Sequence, residues 1–213
     1  MTKAKNRNWF DKHLNDVYVL KSKTDGYRSR ASYKLLEILQ GKNLIQHNDV
    51  VVDLGSAPGG WSQVARKFVG SKGRVLALDI LDMSSIPGVE FICGDFNDEE
   101  VYRKLACQVE NEEVNVVISD IAPNISGIAA IDLPKHFGLV ELAFEFCRQY
   151  LCEGGNFIVK LFQGEGFDEF VRESRKCFVN VKLVKPKASR KMSREVYMVG
   201  TGCLLYTSPS PRD

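Results

Sequence analysis

The run Val50-Val51-Val52-Asp53-Leu54-Gly55-Ser56-Ala57-Pro58-Gly59-Gly60-Trp61, followed by the helical pattern Ser62–Val69, constrains this chain more than any other stretch. The valines predict a buried strand, the glycines a tight turn, and the apolar spacing after them a helix. Strand, glycine-rich turn and helix together open a nucleotide-cofactor site in a doubly wound sheet. The glycines let backbone approach a ligand that a Cβ excludes. The spacing is not Gly-x-Gly-x-x-Gly, which disfavours an NAD-dependent dehydrogenase. A carboxylate, Asp53, opens the turn and an indole, Trp61, closes it. A pyrophosphate needs bare N–H groups at a helix start. A carboxylate and an aromatic face suit a cation instead, such as the sulfonium of S-adenosylmethionine. The turn therefore reads as a methyl-donor site.

Strand-like segments recur at Val50–Leu54, Arg74–Asp79, Glu90–Cys93, Val114–Ser119, Asn156–Lys160, Val179–Lys185 and Glu195–Val199. Helical patterns at Trp61–Val69, Glu99–Val109, Leu133–Leu151 and Phe167–Cys177 fall between most of them. Several strands are continuous apolar runs, as in a sheet covered on both faces. The last two have no room for a helix between them, so the final strand is expected to return antiparallel. The prediction is an α/β, Rossmann-like, doubly wound sheet of seven mostly parallel strands. It forms one domain over 1–202, with a basic N-terminal arm over about 1–46 that holds Trp9–Leu14 and a helix at Ala31–Leu39. The Ser/Pro-rich end, 203–213, matches nothing before it and reads as a foreign or disordered tail.

The net charge of +2 says little about partners, but its distribution says more. Over positions 1–34, Lys3, Lys5, Arg7, Lys12, Lys21, Lys23, Arg28, Arg30 and Lys34 face only Asp11, Asp16 and Asp25. Lys182, Lys185, Lys187, Arg190, Lys191 and Arg194 come with no acid among them. Two basic segments flanking a cofactor core fit one phosphate-binding face for RNA, the alternative being ordinary solvated surface. The cysteines form no Cys-x-x-Cys pair and the histidines are scattered, so neither a metal site nor a disulfide framework is expected. No segment reads as a membrane span or a secretory signal, and no heptad asks for a partner. A cytoplasmic monomer is the expectation.

Polar residues collect at predicted strand ends. Asp53 ends the first strand; Asp79 ends the second, placed to accept from ribose hydroxyls. Asp95 follows the third, suited to an adenine amino group, and Asp120 follows the fourth. Lys160 ends the fifth and Glu195 opens the seventh. A single Asp after a strand is ordinarily a cap or turn residue. A doubly wound fold, however, gathers consecutive strand ends at one edge. Lys160 must snorkel outward or pair with an acid; a purely structural ion pair with Asp120 or Glu195 is the competing reading.

Five stretches carry a family resemblance: Arg28–Leu35, Val52–Gln63, Ser119–Gly127, Val159–Gly166 and Ser193–Tyr197. In these, and from the Asn-Trp near the start to Thr201-Gly202, the chain resembles the FtsJ/RrmJ family of ribosomal RNA ribose 2′-O-methyltransferases. Ser56 stands where many relatives carry Ala, and the tail after Gly202 departs from the family. The resemblance implies a catalytic tetrad of Lys34, Asp120, Lys160 and Glu195. It implies that Gly59, Trp61, Asp79, Asp95 and Asp120 hold S-adenosylmethionine, and that the substrate is a uridine of 23S rRNA in the large ribosomal subunit. Arg28, Arg30, Lys34, Arg190 and Arg194 are the expected phosphate contacts. Rival readings are a tRNA or mitochondrial rRNA ribose methyltransferase and a non-catalytic RNA-binding assembly factor. The arm lacks an Arg/Ser-rich amphipathic transit pattern, and the intact tetrad argues against a non-catalytic role.

Overall fold

A computed structural model describes residues 16–190 and 192–204. The Trp9–Leu14 segment, Lys191 and 205–213 lie outside the described residues. The elements run α1 (Val17–Thr24), α2 (Ala31–Leu39), β1 (Val50–Leu54), α3 (Gly60–Val69), β2 (Arg74–Asp79), β3 (Glu90–Cys93) and α4 (Glu99–Val109). Then come β4 (Val114–Ser119), α5 (Ala129–Tyr150), β5 (Leu151–Phe162), α6 (Phe167–Cys177), β6 (Phe178–Val184) and β7 (Glu195–Cys203).

The strands form one sheet in the order β3-β2-β1-β4-β5-β7-β6. Pairs among β1 to β5 are parallel, and β7 lies antiparallel between β5 and β6. The final strand thus returns antiparallel, as the missing helix between the last two strands predicts. Alternation along each strand feeds two apolar layers. Val50, Val52 and Leu54 pack with Val140, Phe144 and Phe146 of α5, Leu105 of α4 and Phe170 of α6. Val51 points the other way, to Leu35 and Ile38 of α2 and Trp61, Val64 and Ala65 of α3. Asp98 caps α4, accepting from Glu100 N at 2.8 Å, with Glu99 and Glu100 completing a first turn that favours negative charge.

Several boundaries differ from expectation, among them β5, which begins at Leu151 rather than Asn156 and runs to Phe162. Helix α5 begins at Ala129 rather than Leu133, with Pro134 inside it. The turn before it is held by Asp132, which accepts from Ser126 N, Ser126 Oγ and Gly127 N at 2.7–2.9 Å. Strand β7 runs through Cys203, which is buried and pairs with Phe178, and Leu204 N donates to Cys177 O at 2.9 Å. The strand therefore extends one residue past the expected boundary at 202. No helix of the described residues is long and apolar enough to cross a membrane.

Candidate active site

The direction of chain winding reverses between β1 and β4, so a crevice opens at their carboxyl ends. Asp53 sits at the end of β1, and Asp120 follows β4 directly. Gly55 has φ 78°, and a Cβ there would lie 2.6 Å from Ile121 Cα. The glycine lets the turn after β1 meet the backbone beside Asp120. A Cβ on Gly60 would collide with Ser29 Oγ, where α3 begins against the start of α2. At these two positions the approaching neighbour is the protein itself, which corrects the reading that all the glycines face a ligand. Gly55→Ala combines backbone strain with overpacking, so we expect it to lower stability by about 2 kcal/mol, read by thermal denaturation.

Four charged residues from distant segments converge beside this turn. The β5–β7 ladder sets Lys160 directly opposite Tyr197 and Phe162 opposite Glu195. Lys160 Nζ donates to the Asp120 carbonyl at 2.6 Å and lies 3.1 Å from Asp120 Oδ1. Lys34 reaches in from α2, its Nζ 2.7 Å from Glu195 Oε1. Tyr197 links the two pairs: its hydroxyl donates to Asp120 Oδ1 at 2.8 Å, and Lys34 Nζ lies 5.6 Å from its ring centroid. Burial alone would raise the Asp120 carboxyl. The charges of Lys160 and Lys34 and the hydrogen bonds from Tyr197 and Lys160 outweigh it and hold the group below its ordinary value. The Tyr197 phenol is pushed up by burial and by Asp120 and Glu195, so it stays a donor. His136 is buried with its ring 4.3 Å from that of Phe162; burial first and the Lys160 charge second push it down to about 4, so it is neutral at pH 7.

Tyr197 and His136 carry no role in the sequence reading. The signal for Tyr197 is its place two residues beyond Glu195, which in a strand puts both on one face. Nothing in the sequence marks His136.

On the other side of the turn, Asp53 is fully buried and accepts from Ser62 Oγ at 2.6 Å through Oδ2, while its Oδ1 has no hydrogen-bond partner among the described residues. Burial pushes this carboxyl up to about 7, against the Ser62 hydrogen bond and with help from Asp120 and Asp79. Asp79 accepts from Ala57 N and Leu81 N, both at 2.8 Å, and so shapes the turn beside it. Asp95 is exposed and accepts from Asn97 N at 2.9 Å. The two Asp79 oxygens each keep a second lone pair for a ligand hydroxyl, whereas Asp95 Oδ1 also accepts from Asn97 Nδ2 at 2.8 Å, which leaves its Oδ2 for a ligand amino group.

Trp61 departs from expectation. It is 2% exposed, its ring lies in the α2–α3 core and its Nε1 donates to Ala31 O at 2.9 Å. Its face is therefore unavailable to a sulfonium, and what it offers the turn is its backbone N–H in the first turn of α3.

The expected RNA contacts divide. Arg28 turns inward, donating to the carbonyls of Pro58 at 3.3 Å, Ser84 at 2.5 Å and Ser85 at 2.7 Å. It ties the loop after β2 to the glycine turn, which corrects its expected place on the RNA face. Arg30 pairs with Asp16 and donates to Ala188 O, yet still lines a cleft of about 450 Å³ with Ala31, Lys34, Arg190, Met192, Ser193 and Glu195. Burial, and then the charge of Arg190, hold the Arg30 guanidinium below its ordinary value. Arg194 is exposed beside it.

The family model for FtsJ-like methyltransferases matches residues 27–203. The chain belongs to that family. It is 51% identical over 203 residues to the ribosomal RNA large subunit methyltransferase E of Cellvibrio japonicus, covering 95% of this chain and 96% of that protein. It is 53% identical over 201 residues to the protein of the same name from Marinobacter nauticus, covering 94% and 97%. A Plasmodium falciparum crystal structure described as a ribosomal RNA methyltransferase superposes with a TM-score of 0.73 at 29% identity, over 84% of this chain and 99% of that one. The strand order and the antiparallel β7 are those of a methyltransferase fold.

Proposed function

We propose that the protein methylates the ribose 2′-hydroxyl of a uridine in 23S rRNA of the large ribosomal subunit, in the cytoplasm, with S-adenosylmethionine as donor. The observation that carries this reading is the meeting of Lys34–Glu195 and Lys160–Asp120 within one hydrogen-bonded group beside the glycine turn. The names of the two bacterial relatives point to the same substrate class.

The crevice fits such a donor. Asp53 Oδ1 is a buried acceptor without a partner among the described residues, next to a turn whose helix start presents N–H groups. A cationic donor satisfies the first and its carboxylate the second. Asp79 and Asp95 lie at successive strand ends for ribose and base.

When bound, S-adenosylmethionine supplies a methyl group already activated by its sulfonium. The chain must then align the ribose oxygen and remove its proton. Lys160 Nζ is the group at the crevice for that proton. Asp120 fixes Nζ through its carbonyl and carboxylate, and Tyr197 fixes the carboxylate. Lys34 neutralises Glu195 and borders the cleft through which the nucleotide enters.

The decisive experiment offers tritiated donor with large ribosomal subunits, naked rRNA or tRNA. We expect label in large-subunit rRNA; label confined to tRNA, or none at all, overturns the reading. Calorimetry with S-adenosylmethionine and NAD tests the cofactor independently. Arg194→Ala is expected to weaken rRNA binding and to flatten the salt slope by about one unit for one lost phosphate contact. An unchanged slope removes Arg194 from the RNA face.

A further inference from the structure

The cleft beside Lys34 gathers cations. Arg30 and Lys34 reach it from α2 and its N-cap, and Arg190 from the loop between β6 and β7. Lys185, Lys187 and Arg194 flank Arg190 on the same loop. Like charges at this density repel, and a loop bearing them should swing outward unless something anchors it.

The anchor is Glu37. It lies in the last turns of α2, half-buried, three residues beyond Lys34 on the same helix. Its Oε2 accepts from Lys187 N at 2.5 Å, and its Oε1 accepts from Ala188 N at 3.1 Å and from Tyr18 OH at 3.3 Å. Arg30 adds a second tie, bridging Asp16 and the Ala188 carbonyl. Lys185 Nζ closes the loop on itself, donating to Ser193 O at 2.7 Å.

The chemistry of the tie is specific. A carboxylate accepting two successive backbone N–H groups forms charge-assisted bonds and holds main chain, not side chains. The carboxylate therefore fixes the loop through its main chain at Lys187 and Ala188.

We propose that Glu37 is the positioning residue for RNA binding: it latches the basic loop at 185–194 onto α2 so that Arg30, Lys34 and Arg190 form one preformed phosphate cleft. This rests on the ribosomal RNA reading above. A preformed cleft spends none of its binding energy on ordering the loop. Glu37 touches neither donor nor target, so its loss should appear in RNA affinity and in loop exposure, not in the chemical step.

Two variants test it, Glu37→Ala and Glu37→Gln; the second keeps the volume but turns one acceptor into a donor facing an N–H. For Glu37→Gln we expect the KM for large ribosomal subunits to rise about tenfold, as for an interaction of ordinary strength. We expect kcat and the calorimetric affinity for S-adenosylmethionine to stay within twofold. We also expect trypsin to cut after Lys187 or Arg190 faster than in the parent protein. Tyr18→Phe, which removes only the third partner, should leave both readouts close to wild type. Parental KM and parental cleavage in a folded Glu37→Gln protein overturn the proposal. So does a loss of kcat and donor affinity equal to the rise in KM, because that marks general damage. If the wild type labels no ribosomal RNA, the functional reading fails while the proteolysis arm still judges the latch.

Discussion

Lys160→Arg is expected to slow methyl transfer by about 10³-fold in a single turnover, within the range of a lost general base, while donor affinity changes less than threefold. Arginine keeps the charge and roughly the reach of lysine but does not give up its proton in a protein. The substitution therefore separates two roles that Lys→Ala would merge: taking the 2′-hydroxyl proton, and stabilising the developing alkoxide as a cation. The arrangement holds the group for either role. Asp120 offers Lys160 a carbonyl at 2.6 Å and a carboxylate at 3.1 Å, which fix the buried Nζ at the crevice. Tyr197 donates to the same Asp120 oxygen and fixes the carboxylate in turn. Single-turnover rates for Lys160→Arg at pH 7 and pH 9 decide the matter. Near-parental rates at both remove the base role and leave Lys160 as a fixed cation.

Much of this site is legible in the sequence, for a reason particular to the fold. A doubly wound sheet gathers strand ends at one edge, so Asp53, Asp79, Asp95 and Asp120 can be placed together once their strands are recognised. Glu195, at the start of its strand, follows in the same way, and the family resemblance adds Lys34, which no local pattern brings near Lys160. What stays hidden is the direction in which side chains point. Trp61 reads as an open aromatic face because it closes the glycine turn. Yet Trp61, Val64, Ala65 and Phe68 lie at helical spacing, and all pack on the α2 side of the sheet. Arg28 reads as a phosphate contact because it sits in a basic arm, but three backbone carbonyls on two loops claim its guanidinium. Those carbonyls come together only in the folded chain, so composition cannot reveal them. The latch at Glu37 is hidden for the same reason, since its partners lie about 150 positions away, at Lys187 and Ala188.

Asp53→Asn should make the protein more stable at pH 8 and a poorer binder of S-adenosylmethionine. Asp53 is fully buried at the end of β1, with Ser62 Oγ on one oxygen and no partner among the described residues on the other. Its pKa is pushed from the ordinary carboxylate range up to about 7, chiefly by burial. The unfolded chain gives the group up to solvent, where it ionises near pH 4. Between roughly pH 4 and 7 the native state therefore holds a proton that the unfolded state has released, and stability falls as pH rises through this window. Above pH 7 the native state carries a buried charge at a penalty of up to about 4 kcal/mol. Asparagine keeps the shape and an acceptor for Ser62 but removes the charge. Its amide brings a new donor, so we expect roughly half of that penalty to be recovered, near 2 kcal/mol, or a rise in Tm of about 4–8 °C for a chain of this size. At pH 5, where Asp53 is already protonated, the gain should vanish. The same carboxylate attracts the cationic donor when it is ionised. Donor affinity of the parent protein should accordingly weaken as pH falls through 7, whereas that of Asp53→Asn should be low and flat with pH. Melting curves at pH 5 and 8 with donor calorimetry at both check the two halves together. An equal Tm shift at both pH values would mean that the ionised Asp53 is not a cost to the fold. A parental donor affinity in the variant would take Asp53 out of the donor site.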